Sequence, residues 1–195
     1  MLISSRTELK LDYKIDTSVL PFSGREEYSD PSFSSMINTS RGINEMKYLC
    51  TRAEHCVSCE KFNECIVEIP LTIGFFQKNF STCNRIRNLL MKKPFSKFRL
   101  IGILDRLSIL NLRRLSPELS TYDDMIKLTK RLIQREQRFL NMSFHSTSLL
   151  PGKSPFVKNS KELKNFLLKI DDFLSFAKSE QISCVGISTA LEIIS

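Results

Sequence analysis

The sequence predicts an α/β domain. Short segments that alternate apolar and polar side chains, as in Leu140–His145, are interspersed with segments whose apolar residues recur at helical spacing, as in Leu163–Ala177. A length of 195 residues with 42% apolar side chains is enough for about one domain with its own core. No internal repeat, no run of about 18 apolar residues and no apolar stretch of signal-peptide type interrupts it. The default location is therefore the cytoplasm, with no transmembrane segment.

The elements follow in order. A helix is expected to end before Lys10. Tyr13, Ile15, Thr17 and Val19 then alternate with Lys14, Asp16 and Ser18, a strand pattern. Residues 22–44 hold Gly24, Pro31, Gly42 and many serines, the composition of a loop. Ile66–Leu71 reads as a short strand. Cys83–Lys92 and Phe98–Leu112 read as helices, the second on the spacing of Phe98, Ile101, Leu104 and Ile109. Thr121 followed by Asp124 resembles a capping box before a stripe of Met125, Leu128, Leu132 and Ile133. Leu140, Met142 and Phe144 alternate with Asn141, Ser143 and His145, so a short buried strand ends on His145 before the Pro151-Gly152 turn. Finally Leu163, Phe166, Leu167, Ile170, Phe173, Leu174 and Ala177 form one continuous face, with Asn159 and Glu162 at the cap position. That face is expected to be buried.

Three features carry chemistry. A histidine at a strand's C-terminal end can exchange a proton near neutral pH, although a histidine at a strand edge often does no more than hydrogen-bond there. Cys50, Cys56, Cys59 and Cys65 fall as C-x5-C-x2-C-x5-C beside His55. Thiolates two residues apart can share one tetrahedral zinc, and an iron–sulfur cluster also accepts such spacing; free cysteines are the alternative. Cys83 and Cys184 stand alone and are expected in the core. Twenty-nine Lys and Arg against 21 Asp and Glu give a net charge of +8. Arg85, Arg87, Lys92, Lys93, Lys97 and Arg99 concentrate it in residues 85–99, with Phe95 and Phe98 interleaved. That patch suits an anionic glycan, a membrane surface or nucleic acid, but no nucleic-acid motif accompanies it, and a solvated helix face is the plain alternative.

The string SFHSTSLLPGKSPFVKNSKELKNFLLKIDDFLSF, from Ser143, resembles the C-terminal segment of polysaccharide deacetylases of the NodB-homology type, in the branch tied to exopolysaccharide and cell-wall metabolism. YKIDTSVLPF (Tyr13–Phe22), EIPLTIGF (Glu68–Phe75) and RLSPELSTYDDMIKLTKRLI (Arg114–Ile133) resemble further family segments in the same order. The resemblance implies part of a distorted, seven-stranded β/α barrel over residues 1–195, a single incomplete domain with a cysteine-containing loop insertion at about 45–66. It implies metal-dependent removal of acetyl groups from amino-sugar polymers, with His145 as the general acid, Ser146 and Ser148 in the substrate loop, and Asp16 at a structural strand position. A divalent metal such as zinc serves the family's site.

The family's paired aspartates and His-x-x-x-His metal ligands have no counterpart before Tyr13, and the sequence holds two histidines, His55 and His145. The expectation is the C-terminal half of such an enzyme, inactive alone. A separate N-terminal half, or a second copy pairing through open strand edges, would complete it; the alternative is a non-catalytic binding remnant.

The cysteine spacing makes a prediction of its own. If the four thiolates ligate one ion, protein purified under reducing conditions should carry near-stoichiometric zinc or iron by elemental analysis. Exchanging Cys56 and Cys59 for serine should release it while the Leu163–Ala177 helix stays folded. Metal-free wild-type protein would end the idea.

Overall fold

The computed structural model describes residues 15–17, 20–22, 47–50, 65–137 and 139–189, giving residues 16, 47–50, 65–68 and 96 as backbone alone. Most of the expected loop at 22–44, together with His55, Cys56 and Cys59, lies outside the described residues.

Two small sheets form. The first joins β1 (Ile15–Asp16), β3 (Cys65–Glu68) and β2 (Lys47–Cys50) in the order β1-β3-β2. β1 runs parallel to β3, and β2 antiparallel to it. The second pairs β4 (Ile73–Phe75) with β5 (Leu112–Arg114), antiparallel, with Gly74 opposite Arg113. A β/α barrel pairs its strands in parallel. Among the described residues only β1–β3 does so, and no barrel closes. The cysteine-containing stretch is also not all loop, since its two ends form the β2–β3 ladder.

β4 is buried along its whole length. Phe75 lies at the centre of an edge-to-face cluster with Phe22 and Phe80, at ring separations of 5.2 and 5.7 Å. Gly74 allows this closeness: a Cβ there would stand 3.0 Å from Leu128 Cδ1 and from the Phe80 ring. Phe80 opens α1 (Phe80–Met91), capped by the Asn79 side chain, which accepts from Thr82 N. Over the ladder lies α3 (Tyr122–Ile133), whose Met125, Leu128, Thr129 and Leu132 are buried. Its cap is as the sequence predicts, with Thr121 Oγ1 accepting from Asp124 N at 3.2 Å. Ile133, expected in the same stripe, is 42% exposed.

The long helix expected over 98–112 is not formed. A 3-10 turn at Phe95–Phe98 precedes α2 (Leu100–Arg106), and the chain then reverses into β5. Arg99 (φ 50°) and Ser108 (φ 58°) take the left-handed conformation on either side of α2, and an α-helix of L-residues does not continue through it. The reversal is held by Asn111, which bonds Asp105 and Gln77. Arg113 then ties three elements together. Its guanidinium meets the Asp105 carboxylate with both terminal nitrogens (2.6 and 3.1 Å) and Asp124 with Nε (3.0 Å). The hydrogen bond from Arg113 outweighs desolvation and holds the Asp105 carboxyl below its ordinary range.

Residues 140–145 are extended but form no strand. Thr72 N donates to Asn141 O, Asn141 N to the Thr72 hydroxyl, Asn141 Nδ2 to Ile69 O and Ser143 N to Leu115 O. Leu140 and Met142 pack on the core as the alternation predicts. The long helix α4 (Ser160–Ser179) is capped by Asn159, whose side chain accepts from Glu162 N at 2.9 Å. Phe166, Phe173 and Ala177 are buried and Leu163 and Ile170 half-buried, whereas Leu167 and Leu174 are 46% and 39% exposed, so two of the seven residues of the expected face remain open. Cys83 is buried as expected, but Cys184 is exposed and fills no core.

Phe75→Ala should cost about 3–5 kcal/mol, because the ring is fully buried at the centre of the aromatic cluster and its loss leaves a cavity there. Urea denaturation checks this, and a loss below about 1 kcal/mol would show that the aromatic cluster is not the centre of the core.

Candidate acid–base site

The loop from β5 to α3 is wound tightly. Ser116 N bonds Arg114 O, Ser120 N bonds Ser116 O, and the Ser120 hydroxyl donates to Arg114 O at 2.6 Å. Lys169 reaches across from α4 and donates to Pro117 O (2.7 Å) and Ser120 O (3.1 Å). The turn between those two carbonyls carries Glu118, whose side chain is 1% exposed.

A buried carboxylate is costly unless donors surround it. Glu118 has three. Oε1 accepts from His145 N at 2.9 Å and from the Ser148 hydroxyl, and Oε2 meets His145 Nδ1 at 2.7 Å. Burial alone would push the carboxyl's pKa up. The bonds from Ser148, the His145 amide and the imidazole together outweigh it and hold the value below the ordinary carboxylate range. An ionised Glu118 only accepts, so Nδ1 carries a proton and Nε2 is the nitrogen left to exchange one.

The loop beyond completes the support. His145 caps the 3-10 turn Ser146–Leu149, within which Ser148 is fully buried. The Ser148 and Ser154 hydroxyls lie 2.9 Å apart, and Ser154 Oγ accepts from Phe156 N and Val157 N. Ser148 spends its one proton on Glu118, so Ser154 donates to Ser148. The imidazole stacks on Phe156 at 6.1 Å and 12°, and Phe144 packs edge-on against Phe166 of α4. The ring is nonetheless 67% exposed. It is oriented from beneath and open above.

Of the residues singled out by sequence, His145 and Ser148 come together, with Ser148 beneath the loop as a support for Glu118. Ser146 is exposed beside them. Asp16 lies in β1, paired with Glu68 and described by its backbone alone. Cys50 and Cys65 face one another as partners in the β2–β3 register. Among the described residues no group of three His, Cys, Asp or Glu could hold a metal ion. Glu118 was not foreseen. It lies 27 positions from His145, and the one local hint was a serine three residues beyond the histidine.

No family model, curated protein or solved structure matches the chain.

The lowered pKa of Glu118 sets a pH dependence. The folded value lies below the unfolded one, about 4.3. Its stabilisation is therefore complete above that range and is lost as pH falls through the folded value. Glu118→Gln should lose less stability between about pH 5 and pH 3 than the native protein, measured by chemical denaturation. Parallel acid profiles would show that Glu118 is not held as an ion.

Proposed function

We propose that this chain supplies the proton-donating part of a site that hydrolyses acetyl amides on amino-sugar polymers, the reaction of the polysaccharide deacetylases its sequence resembles. The observation that carries this reading is the 2.7 Å contact between a buried carboxylate and the Nδ1 of an exposed histidine. Protein interiors seldom hold a carboxylate in this way without need, and a histidine whose far nitrogen is free and reachable is the standard proton donor of hydrolysis. In the reaction water's oxygen bonds to the acetyl carbon, the carbon–nitrogen bond breaks with its electron pair going to nitrogen, and Nε2 of His145 protonates that nitrogen. Glu118 keeps the ring in one tautomer and orientation.

The water's proton needs a base and its attack needs activation, and the described residues offer no set of ligands that fits the family's divalent metal. Our reading therefore assigns those groups to a second polypeptide or a second copy of this chain, and the fold reading becomes an incomplete α/β domain that such a partner completes. A second reading, non-catalytic binding through residues 85–99, is favoured by the exposure of Lys92, Lys93, Lys97 and Arg99.

The isolated chain should release no acetate from acetylated amino-sugar oligomers, and metal-dependent release by the pure protein would overturn the division of groups. With a completing partner, His145→Ala should lower turnover by about 10² to 10⁴. Glu118→Gln should lower it less and shift its pH profile. An unchanged rate in His145→Ala would make the histidine structural.

A further inference from the structure

Residues 85–109 form a lobe unlike the rest of the surface. α1 buries Phe80, Cys83 and Asn84 on its inner side, and Arg87 turns inward to donate to Phe22 O. At 100° per residue the opposite side presents Arg85, Ile86 and Leu89, and the last two are 43% and 55% exposed. The chain then continues through Lys92, Lys93, Phe95, Lys97, Phe98 and Arg99, all exposed. α2 packs against α1 and buries none of its own residues. Phe98 is 66% exposed, Ile103 52%, Leu107 63% and Ile109 55%. Single exposed apolar residues are ordinary, but a run of large ones interspersed along the chain with exposed cations is not.

The charge is equally one-sided. The only acidic residue between 85 and 109 is Asp105. It is taken up by Arg113. The lobe therefore offers positive charge with no free carboxylate of its own, together with aliphatic and aromatic side chains that water solvates poorly.

We propose that this lobe docks on an acidic lipid surface, with the apolar side chains of residues 86–109 entering the headgroup–acyl boundary and Arg85, Lys92, Lys93, Lys97 and Arg99 meeting lipid phosphates. Nucleic acid fits less well, because Leu89, Ile103, Leu107 and Ile109 have no ring to stack on bases and no group to bond them. A bilayer satisfies both halves, since aliphatic burial and attraction to anionic headgroups add in the same geometry. No helix among the described residues is long and apolar enough to cross a membrane, so this contact lies along the interface. The inference is independent of the acid–base site, which it neither uses nor alters.

The test is co-sedimentation of the full chain with phosphatidylcholine vesicles, with and without about one-third phosphatidylserine. The expected result is binding to the acidic vesicles, weakened by raised salt. Joint replacement of Lys92, Lys93, Lys97 and Arg99 by glutamine should lower partitioning by about 10³-fold. Phe98→Ser with Leu107→Ser should also weaken it, and since both side chains are already exposed, their circular dichroism should match the native protein. Absence of binding to acidic vesicles, equal binding to vesicles of phosphatidylcholine alone, or tighter binding to an oligonucleotide than to acidic vesicles would each overturn the proposal.

Discussion

Burial of one face of the Tyr122–Ile133 helix is the constraint on which the rest of the described structure depends. Met125 and Leu128 are fully buried and Leu132 nearly so, each worth about 1.5–3 kcal/mol of apolar transfer. Their seat is the Ile73–Phe75 strand, and it can come close because Gly74 has no side chain to hold it off. The turn that carries Glu118 and the anchorage of Arg113 both depend on the N-terminal end of that helix. Its N-cap fixes where the preceding loop stops, which sets the height of Glu118. Its first turn supplies Asp124 to Arg113, which locks β5 and the reversal after α2 in place.

The Glu118–His145 pair shows how a protein can hold a charge in its interior. Glu118 is stable as an ion only because three donors from one short segment, His145 to Ser148, converge on it, and that convergence in turn shapes the segment. Carboxylate and loop are mutually dependent. Lys169 adds a link to α4 by holding the carbonyls on both sides of Glu118, although burial lowers the pKa of its own amine. Phe144 on Phe166 is the apolar counterpart of that link.

The two ends of the charge scale are treated differently. Arg113 is engaged by two carboxylates, and Arg131 and Arg135 cap the carbonyls of Phe76 and Lys78, so these cations are structural. The lysines and arginines from Lys92 to Arg99 have no such role and share their surface with exposed phenylalanines. A chain with a net charge of +8 has cations to spare, and where they gather without carboxylates is informative.

Local chemistry was legible in the sequence wherever neighbours along the chain decide it. The caps at Thr121 and Asn159, the inward Met125 and Leu128, the inward Leu140 and Met142, and the prominence of His145 all follow from spacing, because capping and amphipathic periodicity act within a few residues. The second helix was misread because its end depends on left-handed residues, Arg99 and Ser108, that nothing in their side chains announces. Leu167 and Leu174 were assigned to the core because apolar spacing says which residues share a face but not whether another element arrives to cover it. Glu118 was invisible for a related reason: a glutamate in a turn reads as solvated, and only folding across 27 residues brings His145 and Ser148 over it. The sequence by itself determined the amphipathic helices at Tyr122–Ile133 and Ser160–Ser179 and the residues that cap them, because both depend on near neighbours in the chain. Tertiary structure alone decided which carboxylate orients that histidine and which apolar faces stay open, since both depend on contacts between segments distant in the chain.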